Sequence, residues 1–169
     1  NYRLAPSHRF PDPIIDVKRA IAWAKDHIAE HGGDPDRVIL TGGSAGGHLA
    51  ALAALTPDVA LLQPGFADAD TRVAGCVPFY GPTDLTDAGE LRGRSTSMES
   101  FLTSRVMPGR LDDERDLWEL MSPIGHVHAD APPFFVIQGV NDVLVWREEL
   151  RRFVDALRAV SRAPVVYWE

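Results

Sequence analysis

The pattern of apolar residues along the chain predicts both helices and strands. Apolar residues recur every three or four positions over 14–28 and 150–157, which predicts two amphipathic helices. Short apolar runs at 38–40, 73–80, 134–138 and 165–168 predict strands, and an Ala/Leu-rich run over 45–55 predicts another helix. The connections are too long for hairpins, so we expect a single three-layer α/β/α domain over 1–169, with a mainly parallel sheet and helices on both faces.

The periodicity weakens over residues 87–121, where the composition is more mixed. Two amphipathic pieces remain, around 100–106 and 112–120. We interpret this stretch as an inserted helical segment over one end of the sheet, where a lid or a substrate wall would lie.

Composition and charge narrow the function classes. The 169 residues are 45% hydrophobic with a net charge of -7, and the Arg-rich stretch near 147–162 is interleaved with acidic residues, so we expect no nucleic-acid surface. Cys76 is the single cysteine and lies in an apolar run, which predicts a buried, inert thiol. No apolar run is as long as a membrane span and no signal peptide is visible, so the cytoplasm is favoured. The oligomeric state stays open.

The most informative motif is Gly42-x-Ser44-x-Gly46, placed where a strand turns into a helix. This is the setting of a nucleophile elbow, in which a tight, strained turn raises a serine hydroxyl above the sheet. Bulky side chains at Gly42 and Gly46 are expected to collide across such a turn, and Gly43 completes it. The backbone N–H of Ala45 would supply one oxyanion donor. The alternatives are a glycine-rich turn for packing or a phosphate loop, and the absence of a following lysine argues against the latter.

A serine nucleophile needs an imidazole base and a carboxylate that orients it. Asp142 directly follows a predicted strand, and ligands bind at the carboxyl ends of parallel strands, so it is the best acid candidate. The other reading of Asp142 is an Asx-type turn residue. Asp84 also follows a strand and is the second candidate, although Gly81-Pro82-Thr83-Asp84 resembles a turn.

No histidine follows Asp142, where the order Ser, acid, His would put the base. His48 lies one helical turn beyond Ser44 and is expected to pack or to form a hydrogen bond. His27 and His31 are expected to face solvent.

The spacing His126-x-His128-x-Asp130 is one that zinc sites use. Its usual next ligand is missing because Ala131 follows, so we favour a loop that caps the next strand. We expect no metal and no cofactor.

Several motifs occur in an order that resembles the hormone-sensitive-lipase-like group of α/β-hydrolase fold esterases and lipases. They are Asn1-Tyr2-Arg3-Leu4-Ala5-Pro6, Phe10-Pro11, Gly33-Asp34-Pro35-Asp36-Arg37, Gly42-Gly43-Ser44-Ala45-Gly46-Gly47 and Gly139-Val140-Asn141-Asp142. The resemblance implies that Ser44 is the nucleophile, Ala45 an oxyanion donor and Asp142 the triad acid. Many members of the group carry an acidic residue where this chain has Gly43.

Two features of that group are missing. Its His-Gly-Gly oxyanion motif would precede Asn1, and its catalytic histidine would follow Glu169. We therefore expect an internal piece of a longer serine carboxylesterase or lipase, inactive by itself, that acts on small-molecule esters through an acyl-enzyme intermediate. A hydrolase-like binding protein without the base, or an amidase or peptidase with the same triad, is the alternative.

Overall fold

A computed structural model describes residues 1–91 and 96–169. Its centre is a parallel sheet in the order β1-β2-β3-β4. Ile39 pairs with Gly75 at one side of the sheet, and Phe134 pairs with Val165 at the other. The expected α/β architecture with parallel strands is confirmed. The strands are β1 (Ile39–Gly43), β2 (Gly75–Phe79), β3 (Phe134–Ile137) and β4 (Val165–Trp168).

The helices lie close to the predicted ranges. They are α1 (Asp12–His27), α2 (Ala45–Leu55), α3 (Thr96–Phe101), a π-helix (Leu102–Val106), α4 (Arg115–Leu120) and α5 (Arg147–Val160). Short 3₁₀ turns occur at Ile28–His31, Pro35–Arg37, Ala60–Leu62 and Pro123–His126. None of the helices in the described ranges is both long enough and apolar enough to span a membrane.

Helices α2 and α5 pack against the same face of the sheet. Ala51 of α2 and Phe153 of α5 join Cys76, Phe134 and Val136 of the strands in one buried cluster. Burial raises the pKa of the Cys76 thiol far above its ordinary value, so the predicted inert thiol is consistent with its surroundings.

The opposite face of the sheet is open. Ile39, Val166 and Trp168 point away from the helices and are 60%, 47% and 66% exposed. Residues alternate between the two faces of a strand, so their neighbours Leu40, Val165 and Tyr167 instead pack on the helical side. Within the described residues, the helices thus cover one face of the sheet. The helices expected on the other face are not found among these residues.

The predicted inserted segment at 87–121 contains α3, the π-helix and α4. Its residues 92–95 lie outside the described part of the chain. Leu102, Met107 and Trp118 are buried in a second cluster together with residues of α1 and α2. The helical pieces are therefore anchored in the core, and the role of a lid stays a prediction.

Lys18 of α1 is fully buried and contacts the end of α2. Its ammonium group donates to the carbonyl of Thr56, the residue that follows the last residue of α2. A cation at this end of a helix is favourable because the unpaired carbonyls there carry partial negative charge. Burial lowers the pKa of Lys18 to about 8.

The first turn of α2 lies so close to β1 and β2 that there is no room for side chains between the backbones. A Cβ on Gly42 would lie 2.5 Å from the carbonyl carbon of Gly46, and a Cβ on Gly47 would lie 2.7 Å from the carbonyl oxygen of Phe79. The collision expected at Gly42 is therefore present. The prediction of a collision at Gly46 was wrong, because a Cβ there meets nothing within 4 Å. The position that needs glycine on the helix side is Gly47.

This difference predicts opposite effects for two neighbouring substitutions. Gly47→Ala should lower the free energy of unfolding by about 1–3 kcal/mol, since the new methyl group must push backbone atoms apart. Gly46→Ala should raise it by about 0.5–1 kcal/mol, because alanine is the better helix former. Urea unfolding of both variants measures this, and equal effects at the two positions would contradict the close approach.

Candidate active site

Ser44 lies between the end of β1 and the start of α2, in a strained backbone conformation. Its φ of 54° and ψ of -121° correspond to the first central position of a type II′ turn, which glycine usually occupies. The Ser44 N–H donates to the carbonyl of Phe79 at 3.0 Å, and the Ser44 carbonyl accepts from the N–H of His48 at 3.0 Å. These bonds hold the serine in a conformation that costs about 1–3 kcal/mol.

The turn leaves the groups that catalysis would use open to the surface. Ser44 and Ala45 are both exposed. Ala45 is the first residue of α2, so its N–H has no partner within the helix, and no other acceptor contacts it among residues 1–91 and 96–169. An oxyanion placed beside Ser44 would also meet the partial positive charge of this helix end.

A cavity of about 510 Å³ opens beside Ser44. Its walls are mostly apolar and come from five parts of the chain: the elbow with the first turn of α2, the loop after β2, the segment of α3 and the π-helix, the residue after α4, and the loop after β3. The residues that line it are Ser44, Ala45, His48, Pro82, Leu85, Met98, Phe101, Leu102, Val106, Met121, Val143, Leu144, Val145 and Trp146. Such a cavity suits a small molecule with an apolar group.

Asp142 follows β3, two strands away from β1, at the same carboxyl edge of the sheet as Ser44. Its Oδ1 accepts from the N–H of Leu144 at 2.8 Å and from the N–H of Val145 at 3.0 Å. The Asx-type turn that we considered as an alternative is therefore present. It fixes one carboxylate oxygen, and within the described residues Oδ2 makes no hydrogen bond, so that oxygen can accept one from an imidazole.

Asp84, the second acid candidate, is engaged elsewhere. Its Oδ2 accepts from Arg152 at 2.8 Å, and its Oδ1 accepts from the Thr86 hydroxyl at 2.8 Å. The buried carboxylate of Glu149 accepts from the N–H groups of Thr83 and Asp84, at 2.6 and 2.9 Å. Glu149 and Arg152 both belong to α5, so hydrogen bonds from this helix fix the position of the loop after β2.

Each histidine in the described residues that has a polar contact points to a group other than Ser44 or Asp142. A ring nitrogen of His8 lies 3.0 Å from the Asp12 carboxylate. The other three contact backbone carbonyls: His27 that of Trp23 at 2.9 Å, His48 that of Pro82 at 2.9 Å, and His126 that of Leu120 at 2.8 Å. The expected hydrogen-bonding role of His48 is thus present. The structure brings the candidate nucleophile and the candidate acid to one edge but joins no described histidine to them.

His48 is buried and carries no charge at neutral pH. Because the Pro82 carbonyl can only accept, Nδ1 must carry the proton, and Nε2 has no partner among the described residues. Burial lowers the pKa of His48 to about 4.

The His126-x-His128-x-Asp130 stretch does not gather around one point. His126 contacts the Leu120 carbonyl, and Asp130 forms an ion pair with Arg162 at 3.1 Å. No group of three or more His, Cys, Asp or Glu side chains that could hold a metal ion occurs in the described part of the chain.

Sequence reasoning did not identify Tyr80 or the residues of the cavity wall. Tyr80 follows β2, has a positive φ of 39°, and its hydroxyl would lie 2.8 Å from a Cβ at position 43. A larger residue in place of Gly43 would therefore have to displace Tyr80. Its position directly after a strand, at the edge where ligands bind, was the available signal.

Comparison with known proteins assigns this arrangement to one family. A family model described as BD-FAE matches residues 1–157. The probable carboxylic ester hydrolase LipM of Mycobacterium tuberculosis is 52% identical over all of this chain, and the esterase LipQ of the same organism is 48% identical over all of it. The chain spans 39% of the length of each of these two relatives.

A solved structure gives the same result for the fold. The butyrate-bound form of the esterase Est2 from Thermogutta terrifontis superimposes with a TM-score of 0.74 and 27% identity. The match covers 95% of this chain and 55% of that one.

The buried, neutral state of His48 predicts a pH dependence of stability. The unfolded chain takes up a proton on this residue near its ordinary pKa of 6.5, whereas the folded chain does so only near 4. Between these values acidification favours unfolding, by up to about 1.4 kcal/mol per pH unit.

His48→Asn removes this titration and keeps an N–H for the Pro82 carbonyl. The wild-type protein should therefore lose stability relative to this variant as the pH falls from 6.5 to 4.5, measured by denaturant unfolding. His31→Asn, at an exposed position, serves as the control. A constant difference across this pH range would contradict the burial of a neutral imidazole.

Proposed function

The chain belongs to the BD-FAE family, and on that premise we propose that the full-length protein is a serine carboxylesterase that works through an acyl-enzyme intermediate. The observation that carries the proposal is the placement of Ser44, at φ 54° on the N-terminus of α2, in the wall of an apolar cavity of about 510 Å³. Neither a packing turn nor a phosphate loop would need a strained serine beside such a cavity.

In the proposed reaction, Ser44 Oγ attacks the ester carbonyl carbon and its proton passes to a histidine base. The carbonyl oxygen becomes an oxyanion, and the N–H of Ala45 donates to it, together with donors from outside this chain. The C–O bond to the alcohol then breaks, and the histidine returns its proton to the departing oxygen. Water hydrolyses the acyl-serine by the same steps in reverse order.

Asp142 is proposed to orient that histidine. Two backbone N–H groups hold its Oδ1, so the carboxylate cannot rotate freely, and Oδ2 is left for the Nδ1–H of an imidazole. We propose that the imidazole belongs to the part of the protein beyond the 39% of its relatives' length that this chain spans.

The proposed substrate is a small ester with an apolar acyl or alcohol group. Burial of such a group in the cavity is favourable by about 0.8 kcal/mol for each CH₂ group that leaves water. The Thermogutta terrifontis esterase binds butyrate, and we propose a short acyl group of this kind here. No cofactor is part of the proposed reaction.

Ser44→Ala tests the nucleophile directly. Hydrolysis of p-nitrophenyl butyrate by the full-length protein should fall by at least about 10³-fold, since the acyl-enzyme can no longer form. Stoichiometric labelling of the wild-type protein by a fluorophosphonate, absent from the variant, is the second measurement. A full-length protein that binds esters but neither turns them over nor becomes labelled would instead support the hydrolase-like binding protein.

Asp142→Asn should separate the two acid candidates. We expect kcat to fall by about 10²–10⁴-fold, because an amide can stabilise the wrong imidazole tautomer and cannot balance the imidazolium charge. The matched change Asp84→Asn should leave kcat within about tenfold of wild type once its loss of stability is corrected for. A larger fall of kcat in Asp84→Asn than in Asp142→Asn would reverse the assignment.

A further inference from the structure

One side of the cavity beside Ser44 is made by a single continuous segment. Met98 and Phe101 of α3 and Leu102 and Val106 of the π-helix all line it. These positions follow a spacing of three or four residues, so they form one stripe along the segment. The shape of the cavity on this side depends on where the segment, here called the wall segment (96–107), is held.

The π-helix of the wall segment has an unusual hydrogen-bond pattern. The N–H of Met107 donates to the carbonyl of Leu102, five residues earlier, at 2.8 Å. Such wide turns are rare and are stable only where their surroundings support them. The last carbonyls of the helix also lack partners within it and need donors from elsewhere.

Arg9 supplies most of those donors. Its guanidinium donates to the carbonyls of Thr103 at 3.2 Å, Ser104 at 2.8 Å and Met107 at 2.8 Å. A cation at the C-terminal end of a helix also meets the partial negative charge of its carbonyls. One side chain from the N-terminal loop therefore caps three carbonyl groups, more than 90 residues away in the sequence.

The next residue anchors the same contact. The N–H of Phe10 donates to the carbonyl of Val106 at 2.9 Å, and the Phe10 ring is buried in a cluster with Leu102 and Met107. The loop that carries Arg9 is thus fixed in the core, and Arg9 holds the wall segment from a rigid base.

We propose that Arg9 is a positioning residue that determines how well the cavity accepts the apolar group of the substrate. Arg9 does not line the cavity, so its effect passes through Leu102 and Val106. This inference rests on the esterase function proposed above. It predicts a dependence on substrate size: an acetyl group leaves most of the cavity empty, whereas a hexanoyl group reaches further into it.

The test compares p-nitrophenyl acetate with p-nitrophenyl hexanoate in the full-length protein. With Arg9→Met, we expect the KM for the hexanoate to rise about tenfold, which is the change in affinity that the loss of one hydrogen bond to a charged group causes. The kcat should stay within about twofold of wild type. Both constants for the acetate should stay within about twofold of wild type. Arg9→Lys should be intermediate, because an ammonium cannot span three carbonyls as a guanidinium does.

Arg162→Met is the control, since it removes an exposed arginine far from the cavity wall, and it should change neither substrate. The proposal is overturned if Arg9→Met leaves the hexanoate KM unchanged, or if it lowers kcat/KM equally for both esters. If Arg9→Met does not fold, Arg9→Lys carries the comparison by the same criteria.

A second measurement separates this proposal from the proposed function. Binding of hexanoate and acetate anions, followed by calorimetry in a Ser44→Ala background, needs no turnover. Weaker hexanoate binding in Arg9→Met, with acetate unaffected, supports the role of Arg9 even if the protein proves not to be an esterase. Equal binding with and without Arg9 overturns it, whatever the outcome for Ser44.

Discussion

The candidate site depends on the close packing of α2 against β1 and β2, in which the backbones of helix and strands are in contact. Gly42 and Gly47 leave no room for a side chain between the helix and the sheet, so the chain must turn within one residue. That residue is Ser44, and its positive φ follows from the turn. The same contact places the N–H of Ala45, the first residue of α2, beside Ser44, so the candidate nucleophile and the candidate oxyanion donor depend on one packing contact.

A second constraint links the loop after β2 to the helices α5 and α2. Helix α5 follows the loop of Asp142, and its Glu149 binds the backbone of the loop after β2. The same loop accepts the hydrogen bond of His48 through the Pro82 carbonyl. The loop after β2 is therefore joined to α5 by the buried bonds of Glu149 and to α2 by the bond of His48, and α5 begins a few residues after Asp142. Because a buried carboxylate without partners is costly, such contacts form together or not at all.

Much of this fold could be predicted from local sequence patterns. The strands at Phe134–Ile137 and Val165–Trp168 are short apolar runs, and the Ala/Leu-rich helix after the elbow has the predicted bounds. Both Asp84 and Asp142 follow a strand, so the preference for Asp142 rested on the turn-like sequence around Asp84 and on the family resemblance. Local sequence could not reveal that Arg152, which lies 68 positions from Asp84, donates to the Asp84 carboxylate.

The cavity wall shows the same limit. The weak periodicity around 100–106 indicated a helical piece, but it contained no sign of a π-turn or of its partner Arg9. A collision was expected at Gly46 because the turn is tight, whereas the helix places Gly47 against the strand. Patterns in the sequence therefore predict elements, and contacts between distant elements determine which residues shape the site.

The hydrogen bond from Ser44 to the Phe79 carbonyl has a consequence for the order of synthesis. Ribosomes release the chain from its N-terminus, so the elbow sequence emerges well before β2 exists. Until Phe79 has emerged, Ser44 lacks the acceptor of its N–H, which is one of the two backbone hydrogen bonds that hold it at positive φ. The candidate nucleophile thus acquires its full set of backbone hydrogen bonds only when the next strand has been made.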